Sequence, residues 1–136
     1  MVQLSMFTEV YVSGGASELS SEDVHLLKQT LQGFRYILEL FGFDPELLQV
    51  GYKNWAFDFR SAPEDEIHPR FSRECTHFHC WDIDVEIQVE NLSKAYRMSA
   101  LMEQLHASLQ YCMPKDNVEV SNLDLRLDGT PLLPSI

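Results

Sequence analysis

The chain has 136 residues, 45% of them hydrophobic, and its 21 Asp and Glu against 10 Lys and Arg give a net charge of −11 and a pI near 4.7. That length fits a single domain over residues 1–136, with a core that needs neither disulfides nor metal. The charge argues against direct recognition of nucleic acid or an anionic membrane, because the same field repels their phosphates, and suits a basic partner. Three cysteines, an odd and low count, point to a reducing compartment rather than a disulfide framework. The amino-terminal run has no basic and apolar signal segment, and no stretch approaches the roughly 20 apolar residues of a membrane span. The expected location is cytoplasmic.

Leu4, Met6, Thr8, Val10 and Val12 alternate with Ser5, Phe7, Glu9, Tyr11 and Ser13, which predicts a strand over residues 3–13. Ser13-Gly14-Gly15-Ala16-Ser17 ends it in a turn. Ser20 or Ser21 caps a helix with Glu22 and Asp23 in its first turn, where carboxylates complement the helix dipole. Val24, Leu27, Leu31, Phe34, Ile37, Leu38 and Phe41 recur at three and four residues, the strongest helical period in the chain. Gly42 fits the residue after the helix, where positive φ is required. Gly33 lies mid-helix, weakening it by about 1 kcal/mol relative to Ala, and close approach of the helix to the sheet is the expected reason. Asp44-Pro45-Glu46 reads as a cap with Pro at the first position of a short turn.

Residues 50–60 form the next predicted strand, with Trp55, Phe57 and Phe59 on one face and Asn54, Ala56, Asp58 and Arg60 on the other. Residues 61–74 hold two prolines and a run of charges and read as a long loop. The stretch 75–90 dominates the chain. Trp81, Ile83, Val85, Ile87 and Val89 alternate with Asp82, Asp84, Glu86, Gln88 and Glu90. Successive strand side chains point to opposite faces, so this strand has one dry and one acidic face. Asn91 or Ser93 caps a second helix with Ala95, Met98, Leu101, Leu105, Leu109 and Cys112 as its stripe, and Pro114 stops it. Val118 and Val120 start a last strand, which Leu123, Leu125 and Leu127 continue with the opposite parity, so a bulge is expected at Ser121-Asn122. Asp128-Gly129 is a turn, followed by an apolar tail broken by Pro131 and Pro134.

The element order β-α-β-β-α-β predicts an α+β, ferredoxin-like sandwich. Its four-stranded sheet carries both helices on one face, joined by right-handed crossovers. The opposite face is then acidic with aromatic inserts: Asp82, Asp84, Glu86 and Glu90 from the central strand, Asp124 and Asp128 from the last, and Phe7 and Tyr11 from the first. Sheets of this topology that bind RNA use aromatics among basic neighbours, and here the sign is reversed. Charge that steers and aromatics that anchor suit a basic protein. The plainer alternatives are a solvated sheet face or a homodimer made through it.

Cys75, His77 and His79 share the other face of the strand at i, i+2 and i+4, a spacing that zinc sites use, whereas Cys80 points away from them. The plainer reading of these histidines is hydrogen-bonded residues near a strand end. His77-Phe78-His79 ahead of Val85-Glu86-Ile87-Gln88-Val89 resembles the His-Gly-His strand of the pterin synthases. That likeness stops at this one strand: the family's upstream paired histidines have no counterpart and the element order differs, so no role is carried over. The chain has no phosphate-binding glycine loop and no nucleophile elbow. The expectation is a non-enzymatic acidic module, without cofactor, that neutralises a basic partner such as a nuclease or nucleic-acid-binding protein, in the manner of immunity, anti-defence or inhibitor proteins. The alternatives are a small zinc-dependent enzyme built on His77, His79 and Cys75, and a structural homo-oligomer.

Overall fold

The computed structural model describes residues 1–14, 21–56, 77–112 and 118–132. They form an α+β structure with strands β1 (Val2–Gly14), β2 (Gln49–Ala56), β3 (His77–Val89), β4 (Val118–Val120), β5 (Asp124–Leu127) and β6 (Thr130–Pro131). Two helices, α1 (Ser21–Leu40) and α2 (Leu92–Cys112), and a 3-10 turn at Pro45–Leu47 complete it. Among the described residues no helix is long and apolar enough to cross a membrane. The predicted loop 61–74, the end of the second predicted strand at 57–60 and Cys75 lie outside the described residues.

The sheet is open, antiparallel throughout and six-stranded, ordered β2-β3-β1-β5-β6 with β4 also on β1. The expected four strands are therefore six, for two local reasons. The first lies at Ser121–Leu123, where the parity of the last strand shifts. Val118 and Val120 are buried before this point, Leu125 and Leu127 after it, so β4 and β5 pair with different stretches of β1. Ser121 bridges the break: its N–H donates to the Glu9 carbonyl at 2.8 Å, and its Oγ accepts from the Glu9 N–H at 2.8 Å. A hydroxyl replaces the ladder acceptor that the irregular backbone withdraws. The second reason is the Asp128-Gly129 turn. Its φ values of 48° and 81° match the twist of a two-residue hairpin, and it folds Thr130–Pro131 back as β6.

β1 pairs along its whole length with β3, and β2 lies outside β3. β1 and β2 both run antiparallel to β3, so the first helical crossover joins two co-directional strands separated by a third. Both helices pack on one face. Leu27, Phe34, Ile37 and Leu38 of α1 and Ala95, Met98 and Met102 of α2 share one buried cluster with Leu4, Met6, Val10 and Val12 of β1 and Ile83, Val85, Ile87 and Val89 of β3. Of the expected α1 stripe, Leu27, Phe34, Ile37 and Leu38 are buried and Leu31 and Phe41 partly so, with Val24 intermediate, and the alternation of β3 runs from a partly buried Trp81 to Val89. On α2 the buried stripe also takes in Met102 and His106, while Leu101 and Leu105 are only partly buried.

The helix ends follow local chemistry. Asn91, not Ser93, caps α2, its Oδ1 accepting from the Lys94 N–H at 2.9 Å. α1 closes with Phe43 N–H to the Leu38 carbonyl at 2.9 Å and Gly42 N–H to Glu39 at 3.0 Å. Gly42 has φ 82°, so this is a paired termination around a left-handed residue. Gly33 makes its close approach to the other helix, not to the sheet. A Cβ there would lie 2.8 Å from a Leu105 methyl.

Candidate protein-binding face of the sheet

The face away from the helices is built by the odd positions of β1 and the even positions of β3. The register sets Glu9 opposite Asp82, Phe7 opposite Asp84, Ser5 opposite Glu86 and Tyr11 opposite Cys80. β5 adds Asp124 beside Phe7 and Arg126 beside Ser5; β2 adds Lys53 beside Cys80 and Gly51 beside Asp82. Lys53 and Gly51 of β2 therefore share this face, and Asp58 and Arg60 of the second predicted strand lie outside the described residues.

The face has two zones. In the first, Glu9, Tyr11, Cys80 and Asp82 interlock. The Tyr11 hydroxyl donates to Glu9 Oε2 at 2.5 Å. Cys80 Sγ lies 3.5 Å from Glu9 Oε2 and 3.5 Å from Asp82 Oδ1. Lys53 Nζ approaches the other oxygen of Asp82 at 3.7 Å. Cys80 is 1% exposed. Burial, then the Asp82 charge and the bond to Glu9, push its thiol up to about 12. Burial and the Glu9 carboxylate likewise raise the Tyr11 hydroxyl above its ordinary range. A thiol held in this way is a hydrogen-bond donor and not a nucleophile at neutral pH.

Glu9, Cys80 and Asp82 bring their ligand atoms within 4.8 Å of one another and form the group, among the described residues, that could hold a metal. The hydrogens already in place account for the spacing. The thiol and the phenol each donate to a carboxylate, so the cluster is satisfied as it stands.

In the second zone the carboxylates are open. Phe7 is 36% exposed and sits between Asp84 and Asp124 by register. Arg126 Nε reaches both oxygens of Asp124 at 3.2 Å. Asp84 and Glu86 are exposed, and among the described residues no Lys or Arg pairs with either. Glu90, at the end of β3, lies 3.9 Å from Lys94. Asp128 is in the β5–β6 turn, its Oδ1 accepting from the Gln3 N–H at 2.9 Å. Of the eight residues expected to form this surface, Phe7, Asp84 and Glu86 thus form its open part, and Tyr11 and Asp82 belong to the interlocked part. Asp124, Glu90 and Asp128 each have a local partner.

The helix side holds the other histidines. His79 is 3% exposed, and its Nδ1 lies 2.6 Å from the Tyr52 hydroxyl. The Tyr52 ring also packs on Trp81, centroids 4.9 Å apart. His79 is therefore set among aromatics at the sheet margin. Cys75 lies outside the described residues, and of His77 only the backbone is described, paired with Gly14 and Ala56. His106 is 4% exposed on α2. Its Nε2–H donates to the Ser121 carbonyl at 2.5 Å and lies 3.2 Å from Thr8 Oγ1, and Thr8 donates to the same carbonyl at 3.1 Å. The carbonyl can only accept, which assigns the ring proton to Nε2. Burial lowers the His106 pKa below its ordinary 6.5, and the Ser121 bond partly offsets this. This network holds the β4–β5 break in place and, through Ser121, the backbone of Glu9.

No protein-family model matches the chain, and no curated protein matches it.

Proposed function

We propose that the chain is a non-enzymatic binding module that engages a basic protein, such as a nuclease or another nucleic-acid-binding protein, through the open zone of its sheet. The observation that carries this reading is the pair Asp84 and Glu86: exposed on one strand, beside a half-exposed Phe7, with no cation paired to them among the described residues. Unpaired surface carboxylates in a chain of net charge −11 steer a basic partner by long-range attraction, and the aromatic facing Asp84 across the strands supplies an anchor, with an arginine of the partner as its natural cover. The action is that of an inhibitor or immunity-type protein, which occupies the surface its partner needs for phosphates. A homodimer through the same face would set like charges against each other, so this face is better suited to a partner of opposite sign. The raised thiol of Cys80 also fits a binding role better than nucleophilic chemistry. The strand order and the two helical crossovers favour a ferredoxin-like frame whose fourth strand is broken into β4 and β5.

The test is affinity capture from the native host with the intact chain and with the Asp84→Lys/Glu86→Lys variant as parallel baits. The reading expects a basic protein retained by the first and lost by the second, with retention falling as salt rises. Capture of the same protein by both baits, insensitive to salt, would contradict it.

A further inference from the structure

The two margins of the sheet differ. One ends in β6, which is two residues long and holds Pro131, and both features blunt a strand edge. The other ends in β2, eight residues without a proline. β2 pairs with β3 on one side, and among the described residues no strand lies beyond it. Where one sheet face is covered, strand side chains alternate between buried and exposed, yet residues 49–53 are all exposed. Val50 and Tyr52 face the helix side by register with Ile83 and Trp81 and are still 37% and 51% exposed. The helix layer therefore stops short of this margin. An uncovered strand edge is a template for one more strand.

Charge identifies the added strand. In a chain of net charge −11, β2 carries Lys53 and no acid, whereas every other element except β6 carries an Asp or Glu. Two copies can meet here without setting carboxylate against carboxylate. Gly51 supplies the fit. It lies opposite Asp82, and a Cβ at Gly51 would find nothing closer than Asp82 at 3.8 Å, so a gap opens on the acidic face between Asp82 and the margin. A glycine within a strand is where another chain can approach closely. We propose that the chain self-associates through β2, as an antiparallel pair of β2 strands with the two-fold axis at Tyr52. In that register Lys53 of each copy lies opposite Gly51 of the other, and so in line with Asp82. Asp82, which its own Lys53 approaches at 3.7 Å and Glu9 faces from β1, then meets a lysine from each copy. On the helix side the two Tyr52 side chains come together at the axis. The contact is closed, because each copy offers the same edge, and it is small for a permanent interface, so the dimer is weak and concentration-dependent. The inference is independent of the sheet-face reading, since edge pairing leaves Phe7, Asp84 and Glu86 uncovered.

The test is sedimentation equilibrium of the full chain from about 10 µM to about 1 mM, the range in which weak association shows. The mass should rise from the 15.7 kDa of one chain towards twice that value. Lys53→Glu and Asp82→Lys should each weaken association by about tenfold or more, since each sets like charges together at both ends of the pair. Mixing the two variants should restore it, because a mixed pair matches opposite charges at both ends; a folding defect in either variant could not produce that recovery. In the unsubstituted chain, amide hydrogen exchange at residues 49–53 should slow as concentration rises, while exchange at residues 92–112 stays constant. A monomer mass throughout the range, no recovery on mixing, or concentration-dependent protection elsewhere than β2 would overturn the proposal.

Discussion

Two zones of one sheet face, a single register step apart, treat the same residue types in opposite ways. At Glu9 and Asp82 the carboxylates accept from Tyr11, Cys80 and Lys53. At Asp84 and Glu86 none of these partners is within reach, because Phe7 and Ser5 occupy the facing β1 positions. The acidic alternation of β3 is uniform in sequence and its meaning is not. A charge already engaged inside the fold contributes to stability, and a charge with no partner is available to another molecule. Net charge predicts attraction over a distance, whereas the cross-strand neighbour determines which carboxylate makes the contact.

Exchanging the roles of the two zones should have the largest effect. Reversal of Asp84 and Glu86 to Lys should weaken binding of the basic partner by about a hundredfold or more, since close interfacial charge pairs couple by roughly 1.5 kcal/mol or more each. Urea unfolding should hardly move, as exposed pairs are worth at most about 1 kcal/mol. Asp82→Asn should do the reverse, leaving affinity within a few fold while lowering the unfolding midpoint. Calorimetric titration beside urea denaturation separates the two results. If Asp82→Asn affected binding as much as the double reversal, the division into zones would be wrong.

A smaller effect concerns the support behind the first zone. His106 is held neutral in the folded chain, so as pH falls below about 6.5 the unfolded chain takes up its proton first. Stability is therefore fully present above that pH. It is lost on the way down towards the lower folded value, with a slope of up to about 1.4 kcal/mol per pH unit, and levels off beneath it. Urea midpoints from pH 7.5 to 5 should show this fall, and His106→Gln should flatten it. Parallel curves for the two proteins would remove His106 as the cause.

Cys80 gives a chemical readout of the same zone. Alkylation mapped by peptide analysis should leave it unmodified at pH 8 in the native chain, given a thiol pushed up to about 12, and modify it readily in urea. Glu9→Gln should speed native alkylation only modestly, because burial is the larger cause. Rapid native labelling would mean that the interlocked zone opens. The smallest effect lies in the helix layer. Gly33→Ala should change stability by less than about 1 kcal/mol, as gained helix propensity offsets contact with the mobile tip of Leu105. The same change in a Leu105→Ala background should stabilise, and destabilisation there would point to a backbone conflict.

Much of the frame was readable from residue order, because each signal was local. The β3 alternation, the α1 period, Gly42 and the parity change at Ser121 all depend on near neighbours. What was not readable depends on partners far along the chain. Cys80 meets Glu9 across 71 positions, and His106 meets Thr8 across 98; both follow from strand register and helix placement. β6 was hidden because Pro131 reads as a strand breaker, although at a sheet edge its missing N–H is tolerated. Gly33 was rightly seen as a point of close approach, but which element approached it depended on how α1 and α2 pack.

The central claim is that one end of the acidic face is available and the other is not. The most direct measurement is an amide-shift titration of the ¹⁵N-labelled chain with a short arginine-rich peptide, read residue by residue along β1 and β3. The account predicts saturating shifts centred on Phe7, Asp84 and Glu86, with Glu9, Tyr11 and Cys80 nearly still. Shifts centred on Glu9 and Cys80, or spread evenly over every acidic residue, would contradict it.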